Sequence, residues 1–118
     1  MRIIALILVI VGFISCNPKE SIPEDILPQS VMVKIYEDIR ILEGAKFTAR
    51  SDTSLKIDSD AMYLTIMEKN KTTADKFKES HDYYITKPYY LAEIFEKVEE
   101  NLHERKARAD AQANGGKK

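Results

Sequence analysis

Hydrophobic and polar positions follow two different regimes along this 118-residue chain. After Met1-Arg2 comes an apolar run, Ile3 to Ile14, interrupted only by Gly12. From Pro28 onward the apolar residues recur at helical spacing instead. Met32, Ile35, Ile39, Leu42 and Ala45 lie three or four apart, with Lys34, Glu37, Asp38, Arg40 and Glu43 on the side expected to be wet. That spacing predicts an amphipathic helix from about Pro28 to Ala45 or slightly beyond, with Pro28 in its first turn. Lys46 to Ile57 is polar and reads as a connection. Asp58 and Ser59 are N-cap candidates for a second helix carrying Met62, Tyr63, Ile66 and Met67. Thr72 with Asp75 approximates a capping box for a third, whose stripe is Ala74, Phe77, His81 and Tyr84. Pro88 ends that helix and suits the first position of a fourth, striped by Leu91, Ile94, Phe95, Val98 and Leu102. Beyond Leu102 the apolar face fades towards a frayed terminus. The expected fold is all-α, a small bundle of about four helices, two of them short, joined as hairpins.

The leader is a different object. Its 12 positions would reach roughly 18 Å as a helix, short of the ~30 Å hydrocarbon core of a bilayer. A basic start, a short apolar stretch and a small residue before the cut are the parts of a secretory signal peptide. Phe13-Ile14-Ser15-Cys16 resembles a bacterial lipobox, in which the cysteine thiol receives a diacylglycerol and the freed amine a further acyl chain such as palmitate. Cys16 is the only cysteine, so no intramolecular disulfide forms. Two or more acyl chains give stable anchoring at about 0.8 kcal/mol per buried methylene. The expected organisation is a signal peptide over 1–15, a lipid-anchored tether over 16–27, a helical domain over 28–111 and a disordered tail over 112–118.

Charge and composition remove other classes. The summary figures of 44% hydrophobic and 31% charged describe an ordinary soluble domain only because they average the leader with the rest. Setting aside Arg2 leaves 17 basic against 19 acidic residues, a balance that disfavours nucleic acid as a partner. Neither His81 nor His103 has a second metal ligand three or four residues on, so no metal site is expected. Ser80 and His81 are neighbours in sequence and point in different directions on a helix, which rules them out as a nucleophile and base. Carboxylate pairs such as Glu37-Asp38 and Glu99-Glu100 are expected to be solvated.

Three stretches carry a family resemblance. They are Ser21-Ile22-Pro23-Glu24-Asp25-Ile26-Leu27-Pro28, then Met32 to Ile41 with Ile35, Asp38 and Ile39 foremost, and Phe77-x-x-Ser80-x-x-Tyr83-Tyr84-x-x-Lys87-Pro88. Together they resemble the family called domain of unknown function 4296, over about Ile22 to Leu102. The resemblance implies a small helical lipoprotein of the Bacteroidota type with no assigned activity.

One unusual feature remains. Tyr83, Tyr84, Tyr89 and Tyr90 are four of the six tyrosines and crowd around Pro88. They either wedge the corner between the third and fourth helices or present an aromatic patch to a partner, since tyrosine is enriched at interfaces and stacks on sugars. The functional expectation is a non-catalytic outer-membrane lipoprotein. It has no cofactor other than the covalent lipid on Cys16, and it serves as an accessory subunit of an envelope protein complex for assembly, transport or secretion. The alternative is a glycan- or lipid-binding module built on the tyrosine corner. Whether the domain faces the periplasm or the cell exterior stays open.

Overall fold

A computed structural model describes residues 19–51 and 56–116; the expected signal peptide and Cys16 lie outside the described residues. Among the described residues there are four helices: α1 (Gln29–Ser51), α2 (Ser59–Lys69), α3 (Ala74–Ile85) and α4 (Pro88–Gly115). No strand occurs among the described residues. The all-α expectation holds, with two helices of 11 and 12 residues as the short ones.

Local chemistry sets most of the boundaries. Asp58 is the N-cap of α2, accepting from the Ala61 amide at 3.1 Å. At the other end of α2, Lys71 adopts φ 54° and the Lys71 and Thr72 amides donate back to Glu68 and Met67. This is a Schellman closure with lysine where glycine is usual. The α3 cap is Thr73, whose hydroxyl accepts from the Lys76 amide, and not Thr72. The αL residue at 71 delays the extended backbone that a cap requires, moving the start one residue on. Pro88 occupies the first turn of α4 as expected.

Contacts between helices fix the topology. Arg40 reaches Glu99 and Gln29 reaches Glu93, so α1 and α4 run in the same direction. Asp38 pairs with Lys69, and Ala45 and Met62 line one groove, so α2 runs opposite to α1. α3 does too, with Tyr36 against Phe77 and Leu27 against Tyr84. The α2–α3 joint is therefore not a hairpin: the two short helices follow one another in the same direction, α2 packing on α1 and α3 reaching both α1 and α4.

The core comprises Met32, Ile35, Leu42, Met67, Phe77, Tyr84, Ile94 and Val98, with Ile26, Val33, Tyr36, Ile66 and Tyr90 completing it. On α1 the buried residues also include Val33, Tyr36 and Glu37, a sector of roughly 220° at 100° per residue, wider than one stripe. Contact with helices on two sides demands that width. α1 continues to Ser51, past the expected end near Ala45, and Gly44 sits inside it facing open space, with nothing within 4 Å of where a Cβ would stand. α4 runs through residues 112–115, the first part of the expected disordered tail, as a solvent-exposed helix.

Residues 19–28 form a strap along α3 and α4, in place of the free tether expected there. Ile26 is buried, and Ile22 and Leu27 pack against the core. Prolines at 23 and 28 remove two backbone donors, leaving fewer amides for an irregular segment to satisfy. Ile26 donates to the Pro23 carbonyl in a turn. The Leu27 amide donates to Ser80 Oγ at 2.9 Å, and the Leu27 carbonyl accepts from Tyr84 Oη at 2.8 Å. Ser80 and Tyr84 are spaced i, i+4 and so stand on one face of α3. Both are fully buried, and Ser80 Oγ also donates to its own helix at Lys76.

Removing either clamp strands a partly buried backbone group of Leu27. Ser80→Ala and Tyr84→Phe are each expected to lower unfolding free energy by about 1–3 kcal/mol in urea titrations. The double variant should lose less than the sum, because both side chains hold the same residue, Leu27. Losses below about 0.5 kcal/mol for both, the range of ordinary surface substitutions, would contradict the clamp.

Candidate functional site

The tyrosine corner divides into two pairs. Tyr84, the most enclosed, is held by Leu27; Tyr90, 7% exposed, donates its hydroxyl to the Glu20 carbonyl at 2.7 Å. Tyr83 is half-buried with its ring edge-on to Tyr84, and Tyr89 is 66% exposed, edge-on to Tyr90. Tyr84 and Tyr90 are therefore strap-holding core residues, which removes them as candidates for direct contact with a partner. Each faces an apolar interior and places its hydroxyl on a strap carbonyl. Tyr83 retains only part of its surface, and Tyr89 is the accessible one.

Around Tyr89 lies an open recess of about 940 Å³, lined by Lys19, Glu20, Lys87, Pro88, Tyr89 and Tyr90 among others. Its charges are paired across the strap: Lys19 with Glu93 at 3.1 Å and Lys87 with Glu20. The Lys19 hydrogen bond, followed by that of Gln29, holds the Glu93 carboxyl below its ordinary range.

A second concavity, of about 630 Å³, opens between α1, α4 and the end of α2. At its wall stands Glu37, expected on the wet side but only 5% exposed. Asn101 donates to one carboxylate oxygen, and the Arg105 guanidinium lies 3.6 Å from the other. Burial of this charge is compensated by both partners. Glu37 sits one turn beyond Val33, inside the wide sector of α1, and that register was the signal available in the sequence. Nearby, Asp38 accepts from Lys69 through both oxygens at 2.9 Å.

Sequence reasoning also passed over Tyr36. Its ring packs against Phe77, Phe95 and His81, and its hydroxyl lies 2.5 Å from His81 Nδ1. Ser80 and His81 engage different partners, Leu27 and Tyr36. Among the described residues no three potential metal ligands gather.

A third feature is apolar. Ile41, Leu42 and Ala45 of α1 face Met62, Thr65 and Ile66 of α2 across a groove of about 280 Å³. Its rims are exposed hydrophobics, Ile41 at 44% and Met62 at 43%.

The model of the family described as Domain of unknown function (DUF4296) matches residues 23–108. The chain belongs to this family. The match begins inside the strap and ends past Arg105, so the DUF4296 unit includes the second half of the strap, with Leu27, as well as α1 to α3 and most of α4. No curated protein and no solved structure matches the chain.

Burial pushes the phenols of Tyr36 and Tyr84 up to about 12, with neighbouring tyrosines adding to the effect, and raises Tyr63 as well. Below pH 10 folded and unfolded chains both keep these protons, and stability is unaffected. Between pH 10 and 12 the unfolded chain releases protons that the folded DUF4296 domain retains, so stability falls as pH rises. Absorbance at 295 nm should show two of the six tyrosines ionising near pH 12, and Tyr84→Phe should remove one of them. Six tyrosines titrating together near pH 10 in folded protein would contradict the burial.

Proposed function

We propose that this DUF4296 protein is a non-catalytic outer-membrane lipoprotein, anchored through acyl chains on Cys16, that serves as an accessory subunit docking on another envelope protein. The observation that carries the reading is the α1–α2 groove. Ile41 and Met62 frame an apolar slot between two antiparallel helices, which suits side chains projecting from a partner helix. Isolated surface hydrophobics are common; two lining one concavity are more informative. Three groups with chemistry to offer are engaged by neighbours: Glu37 by Asn101 and Arg105, Asp38 by Lys69, His81 by Tyr36. That supports reading the domain as a binding element without catalysis.

The alternative, a glycan- or lipid-binding module at the tyrosine corner, is favoured by the recess beside the exposed Tyr89 ring.

Affinity purification of the tagged lipoprotein from mildly solubilised membranes distinguishes the two. The accessory reading expects a stoichiometric protein partner whose recovery falls at least about tenfold with Met62→Asp, as for a residue near an interface centre. Circular dichroism should remain unchanged, since Met62 is exposed. Absence of a stoichiometric partner, or recovery indifferent to Met62→Asp, would overturn the reading.

A further inference from the structure

We infer that the α3–α4 corner lies against the bilayer that holds the anchor, with Tyr89 and Ile85 at the level of the lipid headgroups. This rests on the anchor reading for Cys16 and adds an orientation and a reach. A free tether over residues 16–27 would extend up to roughly 40 Å at ~3.5 Å per residue. The strap forbids that. Lys19 is paired with Glu93, Glu20 is held through its carbonyl by Tyr90 and through its carboxylate by Lys87, and Leu27 is clamped further on. Every one of these holds lies on α3, on the first turns of α4 or on Lys87 between them. Cys16 stands three residues before Lys19, and three residues span at most about 11 Å. An acylated Cys16 therefore draws this one end of the bundle to the membrane surface.

The surface found there fits a lipid interface. Ile85, the last residue of α3, is 53% exposed and Tyr89, in the first turn of α4, is 66% exposed. Tyrosine is favoured at the boundary between hydrocarbon and water, where its ring and hydroxyl are both accommodated. The lysines of the corner, Lys19 and Lys87, are committed to carboxylates. The contact accordingly depends on aromatic and apolar groups, with the covalent anchor as its source of strength, and not on a basic patch.

The opposite end of α1 supplies an internal reference. Gln29 bonds to the Tyr90 carbonyl and to Glu93, placing the start of α1 at the strap end. Phe47, 73% exposed, lies 18 residues further along the helix, roughly 27 Å away.

The chain contains no tryptophan, so one can be introduced as a reporter. Full-length acylated protein carrying Tyr89→Trp or Phe47→Trp is reconstituted into phosphatidylcholine vesicles containing acyl-brominated phosphatidylcholine. The vesicles are floated, and tryptophan quenching is compared between the two variants. Both sites are exposed, so neither substitution disturbs the core. The expected result is flotation of both proteins with quenching at position 89 at least about twofold that at 47, as an interfacial ring requires. Equal quenching in protein that floats would overturn the orientation and leave the anchor standing. Protein recovered from cells without acyl chains and failing to float would overturn the anchor reading itself, and the orientation with it.

Discussion

The rest of this structure depends on a single strap residue, Leu27. Leu27 gives its amide to Ser80 Oγ and takes the Tyr84 hydroxyl on its carbonyl, both inside the core. Buried backbone groups in an irregular segment must find partners, and here side chains one turn apart on α3 bracket one residue of the strap. The clamp is what turns residues 19–28 from a leader of the domain into part of it. It also gives a physical reason for serine and tyrosine to stand at that spacing in the segment that carries the family resemblance. A hydroxyl small enough to hide in a helix face meets the amide, and one at the end of a ring reaches the carbonyl.

Holding the strap fixes the geometry of everything outward from it. α1 and α4 both start at the strapped end and run away from it, packed on each other, with α2 and α3 returning in the opposite direction. Charge pairs along the α1–α4 seam, Arg40 with Glu99 and Glu37 with Arg105, keep these two helices in register above the clamp. Exposed pairs of this kind contribute little stability each. Glu37 differs because its carboxylate is buried and satisfied, so it specifies register as well. The proposed docking groove lies more than halfway up α1, clear of the end that the anchor would draw to the membrane.

How much of this was legible in the sequence depended on whether the signal was local. Asp58 as a cap, Pro88 as a helix opener and the stripe through Ile94 and Val98 follow from chemistry within a turn or two, and they stand where expected. Thr72 was displaced by Thr73 because a lysine took the left-handed position, a choice that propensity disfavours. Tyr36 and Glu37 escaped because a single 3.6-residue stripe assumes one neighbour, whereas α1 touches helices on two sides. The strap escaped for the same kind of reason: prolines at 18, 23 and 28 along the sequence spell extended chain, and the strap's partners Ser80, Tyr84 and Tyr90 are more than 50 residues away. Of the four corner tyrosines, sequence could mark the cluster but not separate the two that hold the strap from the exposed Tyr89.

The strap's attachment is the claim on which orientation, reach and family motif all turn, and amide hydrogen exchange at Leu27 measures it most directly. If the clamp is as described, the Leu27 amide exchanges at least about a hundredfold more slowly than an unstructured peptide, and Ser80→Ala returns it to the peptide rate while Ile94 stays protected. A Leu27 amide that exchanges at the free-peptide rate in the intact protein, beside a protected Ile94, would contradict the account.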